Sequence, residues 1–220
     1  MILDWDDTLR RGFSAIEWIG FLHERKAFSS SCFGQMTDLL HQYSKRSIGY
    51  NDFVNHYADI YFRGIQQVKE ERLNEAARLF ALHERGQVAN FTFDLLYYLE
   101  TSSYDVLILS GSPQIFLDHF FRDYSFRVMG LKKPATGDSN YSGGTDTKLK
   151  TYQQERVKYS FIGTMGDSPS DQPLIEAADI GFIVGDRIEN RGKGNVRRVN
   201  HETDAVEIIH MLDDAVLATV

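Results

Sequence analysis

A single cysteine, Cys32, leaves this sequence without an internal disulfide, and its seven histidines show no metal-ligand spacing. Neither a disulfide scaffold nor a zinc centre is expected, and a reducing cytoplasm is the compartment that fits. No apolar run approaches the roughly 20 residues needed to cross a bilayer. The opening Met1-Ile2-Leu3-Asp4 lacks the basic start and long apolar core of a signal peptide, so no secretion leader is expected. Positive charge is also in short supply. Lys and Arg number 24 against 31 Asp and Glu, a net charge of -7, which makes the chain as a whole repel nucleic acid and acidic membranes. The local cluster Arg191, Lys193, Arg197 and Arg198 reads as a solvated loop. Repeats and low-complexity segments are absent. What is present, 42% hydrophobic and 25% charged residues over 220 positions, suits a core domain of ordinary size carrying a smaller insertion.

Along the chain, a short apolar strand, Met1 to Leu3, runs into the acidic stretch Asp4-Trp5-Asp6-Asp7-Thr8. From about Ala15 to Leu82, apolar residues recur at three- and four-residue steps and predict some four helices. Ser29-Ser30-Ser31, Ser47-Ile48-Gly49 and Glu84-Arg85-Gly86 supply the breaks, with Gly86 set for a left-handed cap. After a helix from Phe91 to Glu100, the pattern becomes alternating strand and helix. Asp105 to Leu109 reads as a strand buried on both faces, followed by a helix from Ile115 to Phe121. Strands are expected at Arg127 to Gly130, Tyr159 to Met165 and Ile180 to Val184, and helices at Asp146 to Arg156, Ser170 to Ala178 and Ala205 to Ala218. The fold class is therefore α/β, a Rossmann-like parallel sheet with helices, and an all-helical insertion after the first strand. We expect residues 1–13 and 88–220 to form the core domain and 14–87 a helical cap.

Loops at the carboxyl ends of neighbouring parallel strands converge on one crevice. Three strand ends here carry chemistry: Asp4, Asp6 and Thr8 on the first, Ser110 with Gly111 on the second, and Asp167 with Asp171 on the third. Lys148 opens a helix between the last two. Carboxylates stacked at a strand end repel one another unless a cation or a reaction needs them. Mg²⁺, which takes oxygen ligands, would relieve that repulsion with Asp4 and Asp167 as its carboxylates and a lysine balancing the rest. Gly185-Asp186 lacks a second acid at the right distance and reads as a turn.

In this order, these residues resemble the four motifs of the haloacid-dehalogenase superfamily. Leu3-Asp4-Trp5-Asp6-Asp7-Thr8-Leu9 is similar to the first, Val106-Leu107-Ile108-Leu109-Ser110 to the second, Lys148 to the third, and Gly166-Asp167-Ser168-Pro169-Ser170-Asp171 to the fourth. Lys150 competes with Lys148 for the third. The helical insertion, Ser110-Gly111-Ser112-Pro113, Ser14 and the turn Tyr141-Ser142-Gly143-Gly144 look like the phosphoserine-phosphatase-like branch. Two positions depart from the pattern. Asp7 stands where the family has Gly or a small residue, and Phe13 where phosphoserine phosphatases place an acid that holds the substrate ammonium.

The resemblance implies a Mg²⁺-dependent phosphatase acting on a small phosphorylated metabolite, as a monomer or homodimer. Asp4 would be the nucleophile, forming an aspartyl-phosphate, and Asp6 the acid and base. Ser110, Gly111 and Lys148 would bind the phosphate; Asp4, Asp6 and Asp167 would hold the metal; Thr8 and Asp171 would support them. A phosphotransferase using the same intermediate, or a non-catalytic binding module of the same fold, are the alternatives. Phe13, Glu17, Trp18, Arg46 and Arg63 are candidates for choosing the leaving group, with packing or solvation the first expectation for each.

Overall fold

The continuous apolar run before Ser110 has the composition of a strand covered on both faces, and it occupies the interior of a six-stranded sheet. The computed structural model describes residues 1–102, 104–132 and 144–219. The loop at Asn140 and the Tyr141-Ser142-Gly143 part of the turn before Lys148 lie outside the described residues. Strands β1 (Ile2–Leu3), β2 (Leu107–Pro113), β3 (Arg127–Leu131), β4 (Gly163–Gly166), β5 (Ile180–Val184) and β6 (Val196–Val199) lie in the order β3-β2-β1-β4-β5-β6. All five pairings are parallel. Strand order reverses at β1, so the crevice between β1 and its neighbours β2 and β4 is the topological switch point.

Side chains alternate between the faces of the sheet, as a strand's two-residue period requires. Leu3 and Ile108 enter the larger apolar cluster, whereas Ile2, Leu107 and Leu109 pack with Tyr152, Ile162, Leu174 and Ala178 on the other side. Four helices follow β1: α1 (Ser14–Glu24), α2 (Ser30–Ser44), α3 (Tyr50–Ile65) and α4 (Glu70–Glu84). The others are α5 (Thr92–Thr101), α6 (Gln114–Phe120), α7 (Thr145–Arg156), α8 (Gln172–Ala177) and α9 (Ala205–Leu217). The result is a three-layer α/β arrangement with a helical segment inserted after the first strand.

The chain enters and leaves that segment at adjacent points. Arg10 pairs with Val88 in an antiparallel bridge, Arg11 donates its backbone N–H to Gln87 at 2.8 Å, and Ala89 donates to Leu9 at 2.9 Å. Trp18, Phe80 and Phe116 then join the helices to the sheet in one aromatic contact, with ring centroids 5.0 to 5.7 Å apart. At the junction, the fully buried Arg10 lies 2.9 Å from the equally buried Glu84 and 2.7 Å from Glu17. Burial pushes the Glu84 carboxyl up to about 7 although Arg10 opposes it. Removing one partner of a buried pair leaves an uncompensated charge, so Arg10→Ala should cost about 3 kcal/mol or more. The double change Arg10→Met with Glu84→Leu should cost less than Arg10→Ala alone. Urea unfolding midpoints at unchanged slope measure both.

Two expectations are corrected. Val196–Val199 is an edge strand rather than loop: its terminal valines are buried while Arg197 and Arg198 face solvent, which disguises it as a basic cluster. Lys193 and Arg191 pair with Glu176 at 3.2 and 3.4 Å. Gly86 is not left-handed; the residues that take positive φ after helices are Lys26 (54°) and Arg46 (56°). At the first of these, Lys26 donates to His23 and Ala27 to Leu22, the paired bonds of a Schellman cap, whose conformational strain is offset by satisfied carbonyls.

Candidate active site

Ile2 and Leu3 are in register with Leu107 and Ile108 on one side and with Thr164 and Met165 on the other. One residue further, Asp4 reaches the end of the strand, its N–H bonded to the Met165 carbonyl at 3.0 Å. Ser110 and Asp167 emerge beside it from β2 and the end of β4. The sheet thus brings together what the sequence scatters over more than a hundred positions.

Lys148 completes the constellation. It lies in the first turn of α7 on the face that also buries Thr151, Tyr152 and Glu155, while Lys150 is exposed, which separates the two lysines geometrically. Its Nζ donates to Asp4 Oδ1 at 2.9 Å and to Asp171 Oδ1 at 2.6 Å. Burial alone would lower this ammonium, but Asp171 and Asp4 hold it well above the usual lysine range. It is a fixed positive charge. Asp4 is raised by burial, with Lys148 opposing.

Asp171 is aligned by Ser168, whose N–H and Oγ donate to Oδ2 at 3.1 and 2.5 Å. Gly166 is required beneath it, since a Cβ there would sit 2.4 Å from the Asp171 Cβ. Asp167 accepts from the Thr8 hydroxyl at 3.1 Å and from Arg187 Nη1 at 2.7 Å. Burial, then the Asp171 charge, push its carboxyl up to about 7 despite Arg187 and Lys148. Oxygens of Asp4, Asp167 and Asp171 lie within 4.8 Å of one another. A buried, all-oxygen cluster still short of positive charge is the donor set a hard divalent cation fits.

The Asp6 carboxylate lies outside that cluster. Oδ1 accepts from the Ser14 N–H at 2.7 Å and the Ser14 hydroxyl at 2.5 Å, and Oδ2 from the Ser112 hydroxyl at 2.6 Å. Trp5 Nε1 donates to Ser14 Oγ at 2.9 Å and fixes the clamp from behind. Burial raises the Asp6 pKa, with Ser112, Ser14 and Arg10 opposing. Such a carboxyl can exchange a proton while its orientation stays fixed.

Asp7 has φ of 53°, a left-handed conformation that Gly adopts freely and Asp tolerates better than most residues. That explains why this position favours a small residue. Its Oδ1 accepts from the Gly12 N–H at 3.1 Å and its Oδ2 lies 3.5 Å from Arg187. Gly185, with φ of 74°, confirms the turn at Gly185-Asp186, and Arg187 follows it into the site. Sequence reasoning missed Arg187 and the Ser112 clamp. Of the candidate selectors, only Phe13 lines the cavity over the site. Trp18 is buried in the aromatic core, Glu17 is held by Arg10, Arg46 is exposed, and Arg63 donates to Gln35 on the outer helical surface. Cys32 is buried in the core.

No protein-family model and no curated protein matches the sequence. Solved structures do match in three dimensions. A HAD family hydrolase from Salmonella enterica serovar Typhi superposes with a TM-score of 0.64 at 15% identity, over 97% of this chain and 71% of that one. A probable phosphoserine phosphatase from Vibrio cholerae gives 0.65 at 13% identity, over 99% and 65% respectively. A phosphoserine phosphatase with bound substrate gives 0.62 at 10% identity, over 95% of each chain. The chain has the haloacid-dehalogenase fold. Within that fold, the first strand of this chain ends at Asp4, and the helices that follow it cover the switch point. Among the described residues no helix is long and apolar enough to cross a membrane.

Proposed function

We propose that the chain is a Mg²⁺-dependent phosphatase that hydrolyses a small-molecule phosphate monoester through an aspartyl-phosphate on Asp4. The observation that carries this reading is the Asp4, Lys148, Asp171 and Asp167 cluster at the sheet's switch point, with Asp6 held separately by Ser14 and Ser112. Mg²⁺ bound by Asp4 and Asp167 would neutralise phosphate oxygens and so lessen their repulsion of an anionic nucleophile. Lys148, with Ser110 and Gly111 lining the same cavity, would bind the remaining phosphate oxygens and orient phosphorus toward Asp4. Asp4 attacks in line, and the P–O bond to the leaving alcohol breaks. Asp6, as the acid, gives its proton to the departing oxygen. It then takes a proton from the water that hydrolyses the aspartyl-phosphate, returning Asp4 and releasing phosphate. Asp171 keeps Lys148 in place, and Thr8 does the same for Asp167. A halide leaving group needs no acid, so the clamped Asp6 favours phosphate esters over haloacids.

We assign residues 14–87 the role of a cap that excludes water and selects the alcohol. The test is turnover of p-nitrophenyl phosphate. Activity should appear with Mg²⁺, vanish when EDTA removes it, and return on adding Mg²⁺ back. Metal-independent turnover would remove the metal from the account, and phosphate transfer to added alcohols in place of water would make the protein a transferase.

A further inference from the structure

A cavity of about 510 Å³ opens from the carboxylate cluster between the strand ends and helices α1 to α3. Its two sides differ in chemistry. The strand ends and their loops contribute Asp4, Asp6, Asp167, Ser110 and Arg187, joined by Lys148 from α7. The helices contribute mostly apolar surface, with Thr37, His41 and Ser44 of α2 as its polar members. On α3, Tyr50, Phe53, Val54 and Tyr57 fall at the steps of three, one and three that define one face of a helix, and all four line the cavity. Leu40 and Tyr43 of α2 and Ile16 of α1 extend that wall, and Phe13, 47% exposed, stands before α1.

The wall is closely stacked. Tyr43 and Phe53 lie face to face with centroids 4.5 Å apart and planes at 23°, and Phe53 continues to Tyr57 at 6.3 Å. The Tyr57 hydroxyl donates to the Ala15 carbonyl at 3.1 Å, so the polar end of this cavity-lining residue is already engaged. Among the described lining residues, α1 to α3 supply no carboxylate, and His41 is their one basic side chain. An ammonium group would therefore lose its hydration here without a counter-charge. Nor do Tyr43 and Phe53 open around a common centre as an aromatic cage for a quaternary ammonium does, because their faces cover each other. Size points the same way. A cavity of about 150 Å³ holds benzene, so this one admits a phosphate and roughly two rings.

We propose that this site takes the phosphate monoester of a bulky, uncharged, apolar alcohol, with the phosphate at Asp4 and Lys148 and the alcohol along Phe53, Val54 and Tyr57. The proposal rests on the phosphatase reading above and names its substrate class. Burying one more apolar ring system against the helical wall is worth about 50-fold in kcat/KM at 25 cal/mol per Å².

The experiment compares 2-naphthylmethyl phosphate, ethyl phosphate, phosphocholine and phosphoserine, all esters of primary alcohols, so that leaving-group strength does not masquerade as binding. Expected is a kcat/KM for the naphthylmethyl ester about 50-fold above ethyl phosphate, with phosphoserine and phosphocholine at or below ethyl phosphate. Phe53→Ala should reduce the naphthylmethyl advantage about 10-fold. Calorimetric titration of the unaltered protein with 2-naphthylmethylphosphonate and ethylphosphonate, with Mg²⁺, gives a second readout that needs neither turnover nor the variant. A preference for phosphoserine or phosphocholine, or equal affinity for the two phosphonates, overturns the proposal. If p-nitrophenyl phosphate is hydrolysed but the naphthylmethyl preference is missing, the substrate class alone is wrong. If no ester is hydrolysed yet the naphthylmethylphosphonate binds more tightly, the phosphatase reading fails and the apolar pocket stands.

Discussion

Asp4→Asn should abolish turnover of p-nitrophenyl phosphate, with kcat falling by about 10⁴-fold or more, as expected when a covalent nucleophile is replaced by a near-isosteric amide. The size of the loss follows from the absence of a substitute. Asp171 is occupied by Lys148 and Ser168, Asp167 by Thr8 and Arg187, and Asp6 by Ser14 and Ser112. None of these oxygens can take over the attack without breaking the contacts that position its neighbours. The fold should survive, because Lys148 keeps Asp171 as its partner and an asparagine side chain has the shape of the aspartate it replaces. Circular dichroism and unfolding midpoints of the variant separate lost chemistry from lost structure. Residual activity within about tenfold of the parent would exclude Asp4 as the nucleophile.

The second large effect belongs to Asp6, and its size depends on the leaving group. With an alkyl ester, Asp6→Asn removes the proton that the departing alkoxide needs, and kcat/KM should drop by about 10²- to 10⁴-fold. A p-nitrophenolate leaves without such help. The first step therefore persists, while hydrolysis of the aspartyl-phosphate, which needs Asp6 as a base, slows. Stopped-flow absorbance should then show a burst of p-nitrophenol stoichiometric with the protein, followed by a slow steady state. Equal losses for alkyl and aryl esters with no burst would mean that Asp6 serves positioning alone.

The arrangement that makes these predictions possible was legible where local sequence determines position. The acidic run follows an apolar strand, Ser110 ends another, and Gly166-Asp167 ends a third, so the parallel sheet had to gather them. The sequence left Lys148 and Lys150 in competition; the structure buries Lys148 on the face of Tyr152 and exposes Lys150. What escaped was tertiary. Arg187 reaches Asp167 only because Gly185 turns the chain after β5, and nothing in the spacing announces that contact. Ser112 was given no role of its own in the sequence, yet its hydroxyl donates to Asp6. The edge strand Val196–Val199 was hidden because its two central residues are arginines, exposed at the edge of the sheet, and only its terminal valines are buried. Trp18 packs in the aromatic core, as was first expected of it, although a helical period shows which residues share a face and not which neighbour that face meets.

Arg10, Glu84 and the Arg10–Val88 bridge join the two halves of the molecule at the point where the chain enters and leaves the helical segment. Arg10 also lowers the charge cost at Asp6, so the junction is electrically connected to that carboxyl as well as mechanically to the helices. Burying an ion pair there gains little stability over apolar packing.

The most direct measurement is to mix the Asp6→Asn protein with p-nitrophenyl phosphate and Mg²⁺, quench in acid during the burst, and map peptides by mass spectrometry. The account predicts the added mass of one phosphoryl group on the peptide containing Asp4, removable by hydroxylamine as an acyl phosphate must be. Phosphate on another residue, or a burst with no phosphorylated peptide at all, would contradict it.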